Sequence, residues 1–281
     1  MTTLTICIRQ ALAATTISLA VFGVHAQDKV KIGFMLPYSG TFAAIGVAIE
    51  NGFKLMVQEQ GGKLGGREIE YFRVDDESDP SKATQNAVRL IQRDKVDVVI
   101  GTVHSGLVLG LAKVAKVAKE SDTTLIVPNA GAAAVTGTMC APNIFRSSYT
   151  NWQPAYAMGK VAAAKGKKTA VTISWKYAAG DEHVAAFREG FEQGGGKVLN
   201  DFSVPFPNVE FQSVLTEIAA SRPDAVYAFF AGGGAVKFVQ DFAQAGLGKT
   251  MTLYGAGFLT DGTLQAQGAS ACSRHCITVT A

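Results

Sequence analysis

The chain has 281 residues, with 26 lysines and arginines set against 23 acidic residues. A charge this near balance implies no nucleic-acid or membrane-surface partner. The length allows one large or two modest domains, and the ordinary apolar content is enough for a sizeable core.

Residues 1–26 read as a secretory signal. Arg9 gives the positive start, residues 11–24 the apolar centre, and Val24-His25-Ala26 a small-residue cleavage pattern. The apolar run is too short to span a bilayer, and no later stretch is long enough. Cleavage after Ala26 leaves Gln27 first, with no cysteine there for a lipid anchor. Cys7 leaves with the signal. Cys140 then stands alone in the main body, with Cys272 and Cys276 near the end. An exported chain can pair these, and the spacing does not choose which.

Residues 29–60 organise the rest of the chain. Val30, Ile32, Phe34, Met35 and Leu36 make an apolar run of strand length, which Pro37-Tyr38-Ser39-Gly40 ends. Ile45, Ile49, Phe53, Met56 and Val57 then fall at helical spacing. A strand that feeds a polar loop and then a helix opens a βαβ unit, and its loop, residues 38–45, is the first site candidate. Residues 67–74 read as the next strand. Asp79 caps a helix over 81–93 with Pro80 at its first position, and Ala83, Ala87, Leu90 and Ile91 turn inward. A strand over 96–100 leads to Gly101–Gly106 and a helix over 107–119. A strand over 124–127 ends at Pro128-Asn129-Ala130-Gly131.

Residues 144–147 form a further strand, and the polar stretch 148–154 precedes a helix reaching about 165. The pattern then restarts. Strands are expected at 170–174, 197–204, 225–230 and 251–254, and helices at 181–193, 209–221 and 235–245. Such spacing requires parallel crossovers. The fold class is therefore α/β, with two Rossmann-like lobes of parallel sheet joined near residues 147–152. One continuous doubly wound domain is the alternative.

The chemical motifs are mostly bland. Gly248-Lys249-Thr250 suggests a phosphate loop, but Ala243 stands where glycine is needed, a helix precedes it and a strand follows. Gly255-Ala256-Gly257 lacks the third glycine of a dinucleotide fingerprint. His25, His104, His183 and His275 share no spacing with carboxylates or thiols that makes a triad or a metal site. Cys272-Ser273-Arg274-His275-Cys276 is dense in ligating atoms but isolated. No catalysis, cofactor or metal is expected. The loops after strands say more. Gly101–Gly106 offers amides, the Ser105 hydroxyl and a helix N-terminus, which suit a carboxylate. Asn129-Ala130-Gly131 lets a ligand approach the backbone. Trp175-Lys176-Tyr177 and Ala231-Gly232-Gly233 hold the equivalent strand ends of the second unit.

Taken in order, KIGFMLPYSG, GGKLGGREIE, DDESDPSKA, RLIQRDKVDVVIG, VPNAG, FRSSYTNWQ, RPDAVYAF and LYGAGF resemble the periplasmic solute-binding proteins of ABC importers, in the leucine/isoleucine/valine-binding class. The resemblance covers residues 29–271. It implies a type I periplasmic binding fold: a signal over 1–26, a first lobe over 27–147, a second over 148–254, and a segment over 255–281 returning toward the first lobe with an aberrant tail at 272–281. It implies a monomeric periplasmic protein with a small-molecule ligand, an inner-membrane ABC permease as partner and no nucleic acid. It places Tyr38, Ser39, Ile45, His104, Ser105, Asn129, Ala130, Gly131, Tyr177, Gly232 and Phe258 along the cleft. Ser105 and the 105–107 amides, with residues 129–131, would hold a carboxylate, and Tyr177 would close over the ligand. Amino-acid binders of this class pair the ligand ammonium with an acid, and an unpaired buried ammonium is costly. The segment where that acid is expected carries Phe258, with Asp261 a few residues on. The implied ligand is an aromatic acid, of benzoate or phenylpropanoid type, as in the subset of the class serving aromatic uptake. A branched-chain amino acid is the alternative, and an extracytoplasmic sensor shares the fold. The family pattern continues for roughly another quarter beyond the resemblance, which is read as a C-terminal truncation.

Overall fold

The computed structural model describes residues 29–117, 123–272 and 276–279. The signal reading of 1–26, His275, the cysteine pairing and most of the 272–281 tail lie outside the described residues and side chains.

Strands β1 (Val30–Leu36), β2 (Ile69–Asp75), β3 (Val98–Gly101), β4 (Thr124–Val127) and β5 (Ile144–Arg146) form one parallel sheet in the order β2-β1-β3-β4-β5. Strands β6 (Thr169–Lys176), β7 (Lys197–Pro205), β8 (Ala225–Phe229), β9 (Thr252–Ala256) and β10 (Cys276–Val279) form a second in the order β10-β9-β8-β6-β7. Counted from its own first strand, each sheet has the same doubly wound order.

The central strands are buried on both faces, which is why β1 reads as a continuous apolar run rather than an alternation. In the first lobe α1 (Ala43–Glu59) covers one face through Ile49 and Phe53. The short α2 (Ala83–Val88) and α3 (Ser105–Val117) cover the other. In the second lobe α4 (Trp152–Ala164) and α5 (Ala178–Gln193) pack on one face. Helices α6 (Gln212–Ser221) and α7 (Gly232–Gln244) pack on the other. No helix among the described residues is long and apolar enough to cross a membrane.

Several expectations are corrected in detail. Met56 is 40% exposed; the inward stripe of α1 runs instead through Gly46, Glu50, Phe53 and Val57. Glu50 is buried because Lys54 and Arg73 pair with it at 2.5 and 3.1 Å. The helix expected over 81–93 begins as predicted, with the Asp79 carboxylate accepting the Ser81 amide at 2.9 Å. It then runs as a 3₁₀ turn, α2 and a π turn over Arg89–Arg93, with Ala83, Ala87, Leu90 and Ile91 inside. Helix α6 starts late because the Asn208 side chain accepts the Glu210 amide in a local turn. Helix α7 starts early, taking in three glycines. Residues 255–281, expected to lead back toward the first lobe, run along the second sheet through their described part. The Gln240 side chain ties α7 to the Ala266 carbonyl of α8 (Leu264–Gln267) at 3.0 Å, and β10 extends the sheet edge beside β9.

Candidate ligand-binding cleft

The strand order reverses beside β1 and β3 in the first sheet and beside β6 and β8 in the second. Such points leave a crevice beyond the carboxyl ends of the strands. The loops from both crevices face one another across the molecule.

Their lips touch. Phe42, after β1, lies in the aromatic cluster of the second lobe, with ring centres 5.8 Å from Trp175 and 5.4 Å from Phe206. Beside it the Thr41 carbonyl accepts the Gly233 amide at 3.1 Å, and the Thr41 hydroxyl accepts the Gly234 amide at 3.2 Å. This close approach explains the glycines of α7. Gly232 has φ +54°, and a Cβ there would overlap the Thr41 carbonyl oxygen. On the other side the His104 ring packs 4.5 Å from Tyr177 and 4.9 Å from Phe206.

Between the lips lies a narrow cleft. Its walls are Phe42, Val103, Tyr177, Phe229 and Phe258 with Ala179 and Ala231, and its polar side chains are Ser105, Asn129 and Asn151, beside Gly131. No charged side chain among the described residues lines it. The free space is about 10 Å³, room for a water and no more. Phe258 and Asn129 also wall a neighbouring cavity of about 550 Å³, lined by Ile45, Tyr149, Gly232, Val236 and Asp261 among others.

The polar end is built on the start of α3. The Gly106 amide donates to His104 Nδ1 at 3.0 Å, and the Leu107 amide to the His104 carbonyl at 3.0 Å. The expected cradle of 105–107 amides is therefore already engaged at two of its positions. What remains for an anion is the Ser105 hydroxyl, the Asn129 side chain and the positive end of the helix. With Nδ1 accepting, the His104 proton sits on Nε2, and the ring is neutral. Burial holds its pKa down at about 4, against the opposing pull of Asp79. Burial also raises the Tyr177 hydroxyl, raises Tyr149 to about 12 with Asp261 adding to it, and raises the Asp261 carboxyl.

The Asn151 Nδ2 donates to Ser105 Oγ at 3.3 Å and to Glu182 Oε2, on α5, at 2.8 Å. Glu182 also accepts the Ala133 amide, at 3.2 and 3.3 Å to its two oxygens. Arg146 pins the same loop from behind, donating to the carbonyls of Ala130 at 2.5 Å and Ala132 at 2.7 Å.

Of the residues singled out by sequence, Ser105, Asn129, Gly131, Tyr177 and Phe258 line the cleft. Ile45 and Gly232 line the neighbouring cavity. His104 packs behind Tyr177. Ala130 is buried, its amide bonded to the Thr102 carbonyl at 3.0 Å. Tyr38 and Ser39 are a correction: neither lines the cleft. The Asp75 carboxylate at the end of β2 takes the Tyr38 amide at 2.9 Å, and the Arg73 guanidinium stacks on its ring at 3.6 Å, drawing it to the outer edge. Phe42 occupies the cleft instead. Its signal in the sequence was a large apolar residue within the loop over 38–45. Asn151 and Glu182 had no such signal, because nothing local marks a side chain that reaches across to another lobe.

The periplasmic binding protein family model matches residues 29–281. The chain belongs to the periplasmic binding protein family. Its two parallel sheets are the type I periplasmic binding fold expected from the motif resemblance. A solute-binding protein of an ABC transporter from R. palustris, solved in complex with benzoate, is 52% identical with a TM-score of 0.83, over 86% of this chain and 66% of that one. Another from Rhodopseudomonas palustris BisB5, in complex with 3,4-dihydroxybenzoic acid, is 32% identical with a TM-score of 0.81, over 87% and 67%. The Leu/Ile/Val-binding protein homologue 6 of Brucella melitensis is 27% identical over 86% of this chain and 63% of its own length. This periplasmic binding protein chain thus spans under two thirds of that curated relative.

Proposed function

We propose that this chain is the extracytoplasmic solute-binding component of an ABC importer, and that it clamps an aromatic carboxylate between its lobes for delivery to an inner-membrane permease. The observation that carries the reading is the lining of the cleft. Aromatic walls from both lobes meet a neutral polar end at a helix N-terminus, and no acid lines the space to pair an ammonium group. Glu182, which bonds the cleft residue Asn151, has its carboxylate committed to Asn151 and Ala133. A benzoate ring between Tyr177 and Phe258, with its carboxylate toward Ser105, satisfies both ends. The benzoate-bound relative supports the same class of ligand.

A branched-chain amino acid is the second reading. Asp261 favours it, because it lines the neighbouring cavity behind the shared wall of Phe258 and Asn129. Thermal unfolding of the protein with benzoate, 4-hydroxybenzoate, leucine and valine separates the two. A ligand at a hundred times its dissociation constant adds about 2.7 kcal/mol, or roughly 5–10 °C for a chain of this size. A shift with the aromatic acids alone is expected. A shift with leucine or valine alone selects the second reading, and none with any of the four overturns both.

A further inference from the structure

We infer that Glu182 is a specificity-determining residue, which sets the cleft to receive a carboxylate by fixing the amide of Asn151. The inference rests on the reading of the cleft as a carboxylate site. It does not depend on whether the ligand is aromatic.

The Asn151 side chain has one orientation that suits its neighbours. One hydrogen of Nδ2 goes to Glu182 Oε2 and the other toward Ser105 Oγ, at 2.8 and 3.3 Å. The opposite end, Oδ1, lies over Gly131, so close that a Cβ on Gly131 would overlap it. A flipped amide would turn Oδ1 against a carboxylate, with two acceptors and no proton between them. The charge of Glu182 therefore holds the amide in place. Because Ser105 Oγ accepts from Asn151, its own proton is left to donate. Ser105 lines the cleft and is 1% exposed, so that proton serves a ligand acceptor. An ionised carboxylate takes it better than a carboxamide, whose oxygen is the weaker acceptor and whose nitrogen end, itself a donor, would meet the Ser105 proton unfavourably.

The relay crosses the molecule. Glu182 belongs to α5 of the second lobe, while Ser105 and the Ala133 amide belong to the first. It is complete when the lobes meet, and so couples the state of the cleft to the chemistry of what it holds. Arg146, whose guanidinium bonds the carbonyls of Ala130 and Ala132, stands nearby and offsets the charge that Glu182 brings.

The test compares affinities of the whole chain by calorimetry for benzoate and benzamide, and for leucine and leucinamide. Glu182→Gln and Glu182→Ala should each lower the preference for acid over amide by about tenfold, the scale of one charge-assisted hydrogen bond, with affinity for the amide nearly unchanged. Glu189→Gln is the control. It removes a charge from the same helix, where Glu189 accepts the Trp152 indole at 2.9 Å, and should leave the preference intact. If all four ligands bind the Glu182 variants with wild-type ratios, or if Glu189→Gln lowers the ratio as much, the inference fails while the site reading stands. If the wild-type chain binds none of the four, the site reading fails and takes the inference with it. Thermal melts of each variant establish that it is folded before its ratio is read.

Discussion

Gly131 and Phe258 show how single residues shape the cleft. A methyl group on Gly131 meets the backbone nitrogen and side-chain oxygen of Asn151, so Gly131→Ala should displace the polar end and cost about 1–3 kcal/mol of acid binding, as overpacking does. Calorimetry against benzoate reads it directly. Phe258→Ala removes one wall of both cavities, and a tenfold or greater loss for benzoate, on the order of 1.5–3 kcal/mol for a buried aromatic, should appear with leucine less affected. An unchanged benzoate affinity would remove Phe258 from the ligand's surroundings. Ser105, Asn129, Gly131 and Tyr177 were readable from the sequence, because each stands just beyond a strand end. Tyr38 misled for the same reason. It too follows a strand, but an aspartate 37 residues on and an arginine on the adjacent strand hold it elsewhere.

At the scale of elements, the strand–loop–helix rhythm was plain, because apolar runs of four to eight residues alternate with helical spacing through most of the chain. Boundaries were less so. Helix α7 begins three residues early because its glycines suit contact with Thr41 and Trp175, a demand invisible to local propensity. Strand β10 gave no such signal, because it lies in a tail with no periodicity to read. The α7 start makes a sharp test. Gly232→Ala places a side chain at φ +54° and against the Thr41 carbonyl. It should lower stability by about 1–3 kcal/mol through strain and overlap together. Gly246→Ala sits at a similar φ of +71° with open space around it and should cost less. Equal urea midpoints for the two would show that the Thr41 contact carries no energy.

Over the whole molecule, two buried histidines tie stability to acidity. Burial lowers His104, between the lobes, to about 4, and His183, in the core of the second lobe, to about 3. In the unfolded chain both take a proton near pH 6.5. Below that the unfolded state binds more protons than the folded one, so stability falls as pH drops from about 6.5 toward those lower values, by up to about 1.4 kcal/mol per pH unit for each histidine. The urea midpoint should therefore be lower at pH 5 than at pH 7.5, and His104→Asn should flatten part of that slope. A midpoint independent of pH would mean that the folded chain takes up these protons as readily as the unfolded one. The other consequence concerns time rather than equilibrium. Phe42 is 1% exposed, its ring set among aromatic residues of the opposite lobe. If the lobes part to release the proposed ligand, that ring is drawn into water, a step costing about 1.5–3 kcal/mol, which would slow escape by roughly ten- to a hundredfold. Because the barrier is apolar, it resists salt. Stopped-flow release of benzoate should quicken by that factor in Phe42→Ala and change little with ionic strength in the wild-type chain. A bound molecule would then wait on a phenyl ring to let go.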